Sequence, residues 1–183
     1  MTLPFDPIAQ AHQHWRTQGW SAAADGMAAV TSVMRAAQWW QARIDTALRP
    51  FGLTFARYEV LMLLLFSRRG ALPMRVVGER LQVHPTSVTS AVDRLERQRL
   101  VRRVPHPDDR RAVLATITED GRAAALAATQ VLNRDVFGDP GLDAHDAAAL
   151  VDLLTDLRRR AGDFVDEAEG EAATLASTGR PVP

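Results

Sequence analysis

The feature that most limits what this chain can fold into is a change of period near residue 100. Up to Arg99, apolar residues recur three and four apart, which is helical spacing; beyond it they form short alternating runs. Residues 74–81 and 85–98 read as two short helices joined by the turn Gln82-Val83-His84, with Pro85 suited to a first helical position. Residues 100–104 and 112–117 read as strands, with Val113, Ala115 and Ile117 on one face. The Pro- and Asp-rich stretch 105–110 between them is a hairpin turn. Two short helices and then a hairpin make a winged helix-turn-helix.

The flanks are helical. Asp6-Pro7 starts a short helix over 7–17, with Ile8, Ala11 and Trp15 on one face. A long helix over 22–48 carries Met27, Val30, Met34, Ala37, Trp40, Ile44 and Leu48 as a single stripe, and Pro50 and Gly52 end it. The helix at 55–67, capped by Thr54, is apolar nearly all round and must be buried. Thr118, with Glu119 and Asp120 behind it, opens a helix to about 137. Asp143 opens the last long helix, expected to reach 168, with Ala147, Leu150, Leu154, Leu157, Ala161 and Phe164 along one side. The expected fold class is mainly α with a small β-hairpin wing, flanked by long N- and C-terminal helices. Residues 1–52 and 119–169 are expected to form helical flanks around a winged-helix lobe over 53–118. Residues 170–183 are expected to be a disordered tail.

Charge supports a polyanionic partner. All 22 basic residues are arginine. Residues 67–115 carry 11 of them against 5 acids, or +6, while 116–183 carry 6 against 13, or −7. One section can therefore meet phosphate while the other stays clear of it. The absence of cysteine excludes disulfides and thiolate metal sites. The longest apolar run, 60–66, is too short to span a bilayer, and MTLPFDPIAQ lacks the basic-then-apolar pattern of a secretory signal. A soluble, cytoplasmic, nucleoid-associated protein with no membrane partner is expected. Catalysis, a metal and a cofactor are not: His12 and His14 diverge on a helix, and His84, His106 and His145 lack carboxylates at ligand spacing. No Gly-rich phosphate loop or serine-nucleophile motif is present.

In the second short helix Val88, Val92 and Leu95 share the inward side, which leaves Thr86, Ser87, Thr89, Ser90 and Arg94 outward. Short hydroxyls let a helix approach base edges closely, and a guanidinium can grip guanine or phosphate. Arg102 and Arg103 precede the hairpin, and Arg110 and Arg111 stand at its tip beside Asp109. A cationic tip suits the narrow minor groove, and Asp109 can orient an arginine there.

Residues 53–121 resemble the MarR family of winged-helix regulators. The resemblance rests on DRRAVLATITEDG at 109–121 and on VTSAVDRLE at 88–96, followed by LVRR at 100–103. It implies that helix 85–98 reads the major groove of double-stranded DNA and that Arg111, oriented by Asp109, enters the minor groove. It also implies a homodimer, built by the flanking helices, that presents two such helices. Gln82 and Arg99 stand where the family often has glycine, so Arg99 is expected to take a left-handed conformation.

All four tryptophans, Trp15, Trp20, Trp39 and Trp40, precede the winged helix, and Tyr58 follows. The family commonly binds aromatic or phenolic anions between its dimer region and its DNA-binding lobe. The extra N-terminal helix with a Trp resembles the urate-responsive branch, with Glu59 where that branch has Asp. The implied ligand set is Trp15, Arg16, Trp20, Trp39, Trp40, Tyr58 and Glu59. The expected function is a transcriptional repressor released by a small aromatic ligand. The alternative is a ligand-independent architectural or co-regulatory DNA-binding protein, and an effector response would separate the two.

Overall fold

The computed structural model describes residues 3–107, 109 and 112–164, and the chain divides into two units, Met1–Asp139 and Pro140–Pro183. In the first unit, helix α1 (Pro7–Thr17) starts where Asp6 accepts a hydrogen bond from the Ile8 N–H at 2.9 Å. Gly19, at φ +85°, makes the turn into α2 (Ser21–Leu48). The two helices pack through the Trp15 and Trp20 rings, edge to face at 5.4 Å, and through a His12–Asp25 hydrogen bond of 2.7 Å. The apolar stripe of α2 divides in two. Ile44 and Leu48 are buried, whereas Val30 is 66% and Met34 59% exposed.

Helix α3 (Phe55–Phe66) is the centre of the core, as its all-round apolar sequence requires. Its Val60, Leu61 and Leu64 are buried against residues of α4 (Met74–Leu81), α5 (Pro85–Arg97) and α6 (Glu119–Leu132). Fully burying such side chains stabilises by about 1.5–3 kcal/mol each. Tyr58, also buried, hydrogen-bonds the Thr129 hydroxyl of α6 at 2.9 Å, so the one phenol in this core is satisfied.

The wing is a three-stranded antiparallel sheet rather than a lone hairpin. Strands β1 (Ala71–Pro73), β2 (Val101–Pro105) and β3 (Val113–Ile117) lie in the order β1-β3-β2, with Leu72 opposite Ala115 and Val101 opposite Ile117. Pro73 is tolerated because β1 is an edge strand. Thr118 caps α6, accepting from the Gly121 N–H at 3.0 Å, and the helix passes into a wider π-helical turn over Asn133–Phe137.

The second unit contains α7 (Ala144–Arg160), opened by Asp143, which accepts from the Asp146 N–H at 2.8 Å. The helix ends at Arg160 rather than at 168. Three arginines fill its last turn and Gly162 adopts φ +74°, both ordinary helix stops. Phe164 therefore leaves the stripe and lies under the guanidinium groups of Arg158 and Arg159, at 5.3 and 5.7 Å. No residue of α7 is buried, and Leu157 is 59% exposed. The expected tail, 170–183, lies outside the described residues. No described helix is long and apolar enough to cross a membrane.

Candidate nucleic-acid interface

The helix-turn-helix is built from α4, a left-handed turn and α5. Gln82 (φ +53°) and Arg99 (φ +61°) are the non-glycine residues with positive φ among the described residues, so both glycine substitutions are accommodated in the left-handed region. His84 caps α5: its Nδ1 accepts from the Thr86 N–H at 3.3 Å and lies 3.1 Å from the Thr86 hydroxyl. Val88, Val92 and Leu95 are buried, while Thr86, Ser87, Thr89, Ser90 and Arg94 are exposed. Four of these five share one concave surface. Thr86, Ser87, Ser90 and Arg94 line a groove of about 520 Å³ with Arg57 of α3 and Thr54, which precedes that helix. Thr89 opens to the other side, onto a cleft shared with α4.

Two carboxylates of α5, Asp93 and Glu96, would neutralise this surface if they reached it. Arg103 of β2 holds both. Its guanidinium bonds Asp93 at 2.6 Å and Glu96 at 2.7 Å, and its backbone N–H donates to Glu96 at 3.0 Å. Burial works against the charge on Arg103, but these hydrogen bonds outweigh it and hold the guanidinium above its ordinary pKa. Arg103, grouped by sequence with the cations of the wing, instead fastens the stem of the wing to α5.

At the wing tip the His106 N–H donates to the Ala112 carbonyl and the Ala112 N–H to the Asp109 carbonyl, each at 3.0 Å. Asp109 is exposed; Arg110 and Arg111 lie outside the described residues.

This architecture is shared with known proteins. The crystal structure of Sco5413, a MarR family transcriptional regulator from Streptomyces coelicolor, is 49% identical, matches 78% of this chain and 99% of that one, and superposes with a TM-score of 0.71. The chain belongs to the MarR family. A family model described as MarR family matches residues 51–112, the segment holding both helices of the helix-turn-helix and strands β1 and β2. BpsR of Bordetella bronchiseptica, whose DNA binding is regulated by 6-hydroxynicotinic acid, is 27% identical over 69% of this chain and 90% of its own, with a TM-score of 0.63. The uncharacterized HTH-type transcriptional regulator YhbI of Bacillus subtilis is 33% identical over 78 residues, 43% of this chain; the chain spans about half the length of that relative, 49%. As a MarR-family member the protein is a DNA-binding transcriptional regulator and not an enzyme.

Within one chain of this MarR-family protein the residues of the expected ligand set are not gathered in one place. Trp15 and Trp20 pair at the start of α2, whereas Trp39 and Trp40 lie nineteen residues further along, about 28 Å at 1.5 Å per residue. Arg16 is exposed on α1 with the first pair, and Tyr58 is committed to the core. Glu59 is half-buried, and burial raises its carboxyl pKa. Of the set, Trp39 lines a cleft of about 610 Å³ together with Arg43, Phe51, Val131, Arg134 and Asp135. The Arg43 guanidinium stacks 4.7 Å from the Trp39 ring centroid and also donates to the Asp135 carbonyl. Arg134 pairs with the Asp135 carboxylate at 2.6 Å and holds it below the ordinary carboxyl range. Sequence reasoning missed Phe51, Arg43 and Arg134 because their meeting depends on how the end of α2 packs against the end of α6.

Proposed function

We propose that the protein is a homodimeric repressor that reads a two-fold symmetric operator through the exposed face of α5 and grips the flanking minor groove with its wing. The observation that carries this reading is the separation of faces on α5. Three aliphatic side chains anchor the helix, short hydroxyls and Arg94 face outward, and its carboxylates are drawn off by Arg103. On this reading Thr86, Ser87, Thr89 and Ser90 approach base edges, Asp109 orients Arg111 into the minor groove and Arg110 meets the backbone. Residues 53–118 are then the DNA-binding lobe. The apolar residues of α2 and α7 that stand open to solvent supply the dimer seam, each covered by a second copy of the chain. The protein acts in the cytoplasm, on the nucleoid.

The effector is an aromatic anion held in the cleft at Trp39. Its ring lies against Trp39 and Phe51, and its charge meets the net positive set Arg43, Arg134 and Asp135. The regulation of BpsR by 6-hydroxynicotinic acid supports an effector of this chemistry. An effector releases DNA only by binding the DNA-free state more tightly, and a difference of about 1.4 kcal/mol changes DNA affinity tenfold. The test is displacement of labelled operator by a panel of hydroxybenzoates, hydroxynicotinates and urate, read alongside tryptophan fluorescence. Release by one of them, abolished by Trp39→Ala, is the expected result. No release across the panel would favour the ligand-independent architectural role instead.

A further inference from the structure

We infer that Arg57 and Arg94 together clamp one backbone phosphate of bound DNA, which brings α3 into the interface and makes Arg94 a positioning residue rather than a base reader. The inference rests on the DNA-binding reading above and goes beyond it by assigning a contact outside the helix-turn-helix and the wing.

Both arginines line the groove between α3 and α5, with the hydroxyls of Thr54, Ser87 and Ser90. No carboxylate lines it, and among the described residues no ion pair engages either arginine. Asp93 and Glu96, the carboxylates flanking Arg94 in sequence, are both bound to Arg103. Arg57 is steered into place by its Nε, which donates to the Thr54 hydroxyl at 3.2 Å, so its terminal NH₂ groups remain to serve a ligand. Burial, and then the nearby charge of Arg94, lower its pKa. Two like charges held together without a counter-ion are an arrangement that an anion between them relieves.

The shape of the site selects phosphate over a base. A guanine edge is satisfied by one bidentate arginine, whereas two guanidinium groups can donate to both non-bridging oxygens of a phosphodiester and offset its charge. Position agrees. Arg94 lies nine residues after Pro85, about 13 Å along the axis from the N-terminal turn. It is the N-terminal residues of a recognition helix that meet base edges.

The experiment is a salt titration of binding to two labelled duplexes, one carrying an operator selected from a random library and one of unrelated sequence. Wild type, Arg57→Gln, Arg57→Lys and Arg94→Gln are compared, each with its melting temperature. Losing one phosphate contact lowers the slope of log K against log salt by about 0.9. Arg57→Gln and Arg94→Gln should each flatten the slope on both duplexes by part of that amount, since the other arginine still meets the shared phosphate, with unchanged base preference, and Arg57→Lys should restore most of it. Arg57→Gln should also melt at or above wild type, because a like-charge repulsion is relieved. An unchanged slope for Arg57→Gln, or a loss for Arg94→Gln confined to particular base pairs, overturns the clamp while the DNA-binding reading stands. Wild-type protein that binds neither duplex would overturn that reading itself.

Discussion

Gly121 lies in the first turn of α6, directly against the chain entering the wing. A Cβ built there meets the Leu100 carbonyl oxygen at 2.0 Å and Ile117 Cγ1 at 2.9 Å. The same carbonyl accepts the Thr118 N–H at 3.1 Å, so it cannot move without loosening the joint between β2 and α6. Gly121→Ala therefore forces backbone apart. Overpacking of this kind costs about 1–3 kcal/mol. The strained hydrogen bond adds about 0.5–1.5 kcal/mol, and the better helix propensity of alanine returns about 1 kcal/mol. The net expectation is a loss of about 2 kcal/mol, which lowers Tm by roughly 4–8 °C in a chain of this length. Gly26→Ala is the control. It makes the same chemical change inside α2, where an added Cβ meets nothing within 4 Å, and should stabilise by up to about 1 kcal/mol. Thermal and urea unfolding of both variants, at one protomer concentration, reads the two signs. If Gly121→Ala unfolds at the wild-type midpoint, α6 is not seated on Leu100 as described and the reasoning fails.

Further outcomes follow from other sites. Arg99→Gly should stabilise by about 0.5–1 kcal/mol, because a side chain is removed from a left-handed position; a less stable variant would show that Arg99 makes a compensating contact. Leu154→Glu with Leu157→Glu should leave a monomer in light scattering, since at the proposed seam Leu157, 59% exposed in the single chain, would lose burial worth about 1–2 kcal/mol on each protomer and charge would take its place; an intact dimer would place the seam elsewhere. Because burial raises the Glu59 carboxyl above the ordinary 4.5, the folded state holds that proton more tightly than the unfolded chain. The associated stability is present below about pH 4.5 and is lost as pH rises through the raised value. Glu59→Gln should accordingly be at least as stable as wild type at pH 7, with the difference vanishing in acid. A variant less stable at pH 7 would mean the carboxylate has a favourable partner.

Much of the fold was readable because its signals are local. Asp6 and Pro7 mark the start of α1, Pro85 marks that of α5, and Val88, Val92 and Leu95 reveal which side of α5 is inward. Strand β1 escaped because three residues, one of them Pro73, show no period; it exists only because β3 offers it a free edge. The end of α7 was overrun because the spacing of Leu157, Ala161 and Phe164 carries a helical rhythm across Gly162, whose positive φ interrupts it. The outward position of the hydroxyls on α5 was legible for the same local reason. Arg57 and Arg103 were not, since their roles depend on which element packs beside α5. The tryptophans misled for the opposite reason: nearness in sequence became distance along a rigid helix.

The central claim is that two copies of α5 read DNA side by side, and selection from a random duplex library tests it most directly. Wild-type protein should enrich an inverted repeat whose half-sites are centred about 10 base pairs apart, one turn of the duplex. Ser87→Ala should weaken selection at particular positions of each half-site, by about 1–3 kcal/mol per base pair read. Enrichment of no motif, of a single unrepeated site, or of the same motif with undiminished preference after Ser87→Ala and Ser90→Ala together would contradict the account.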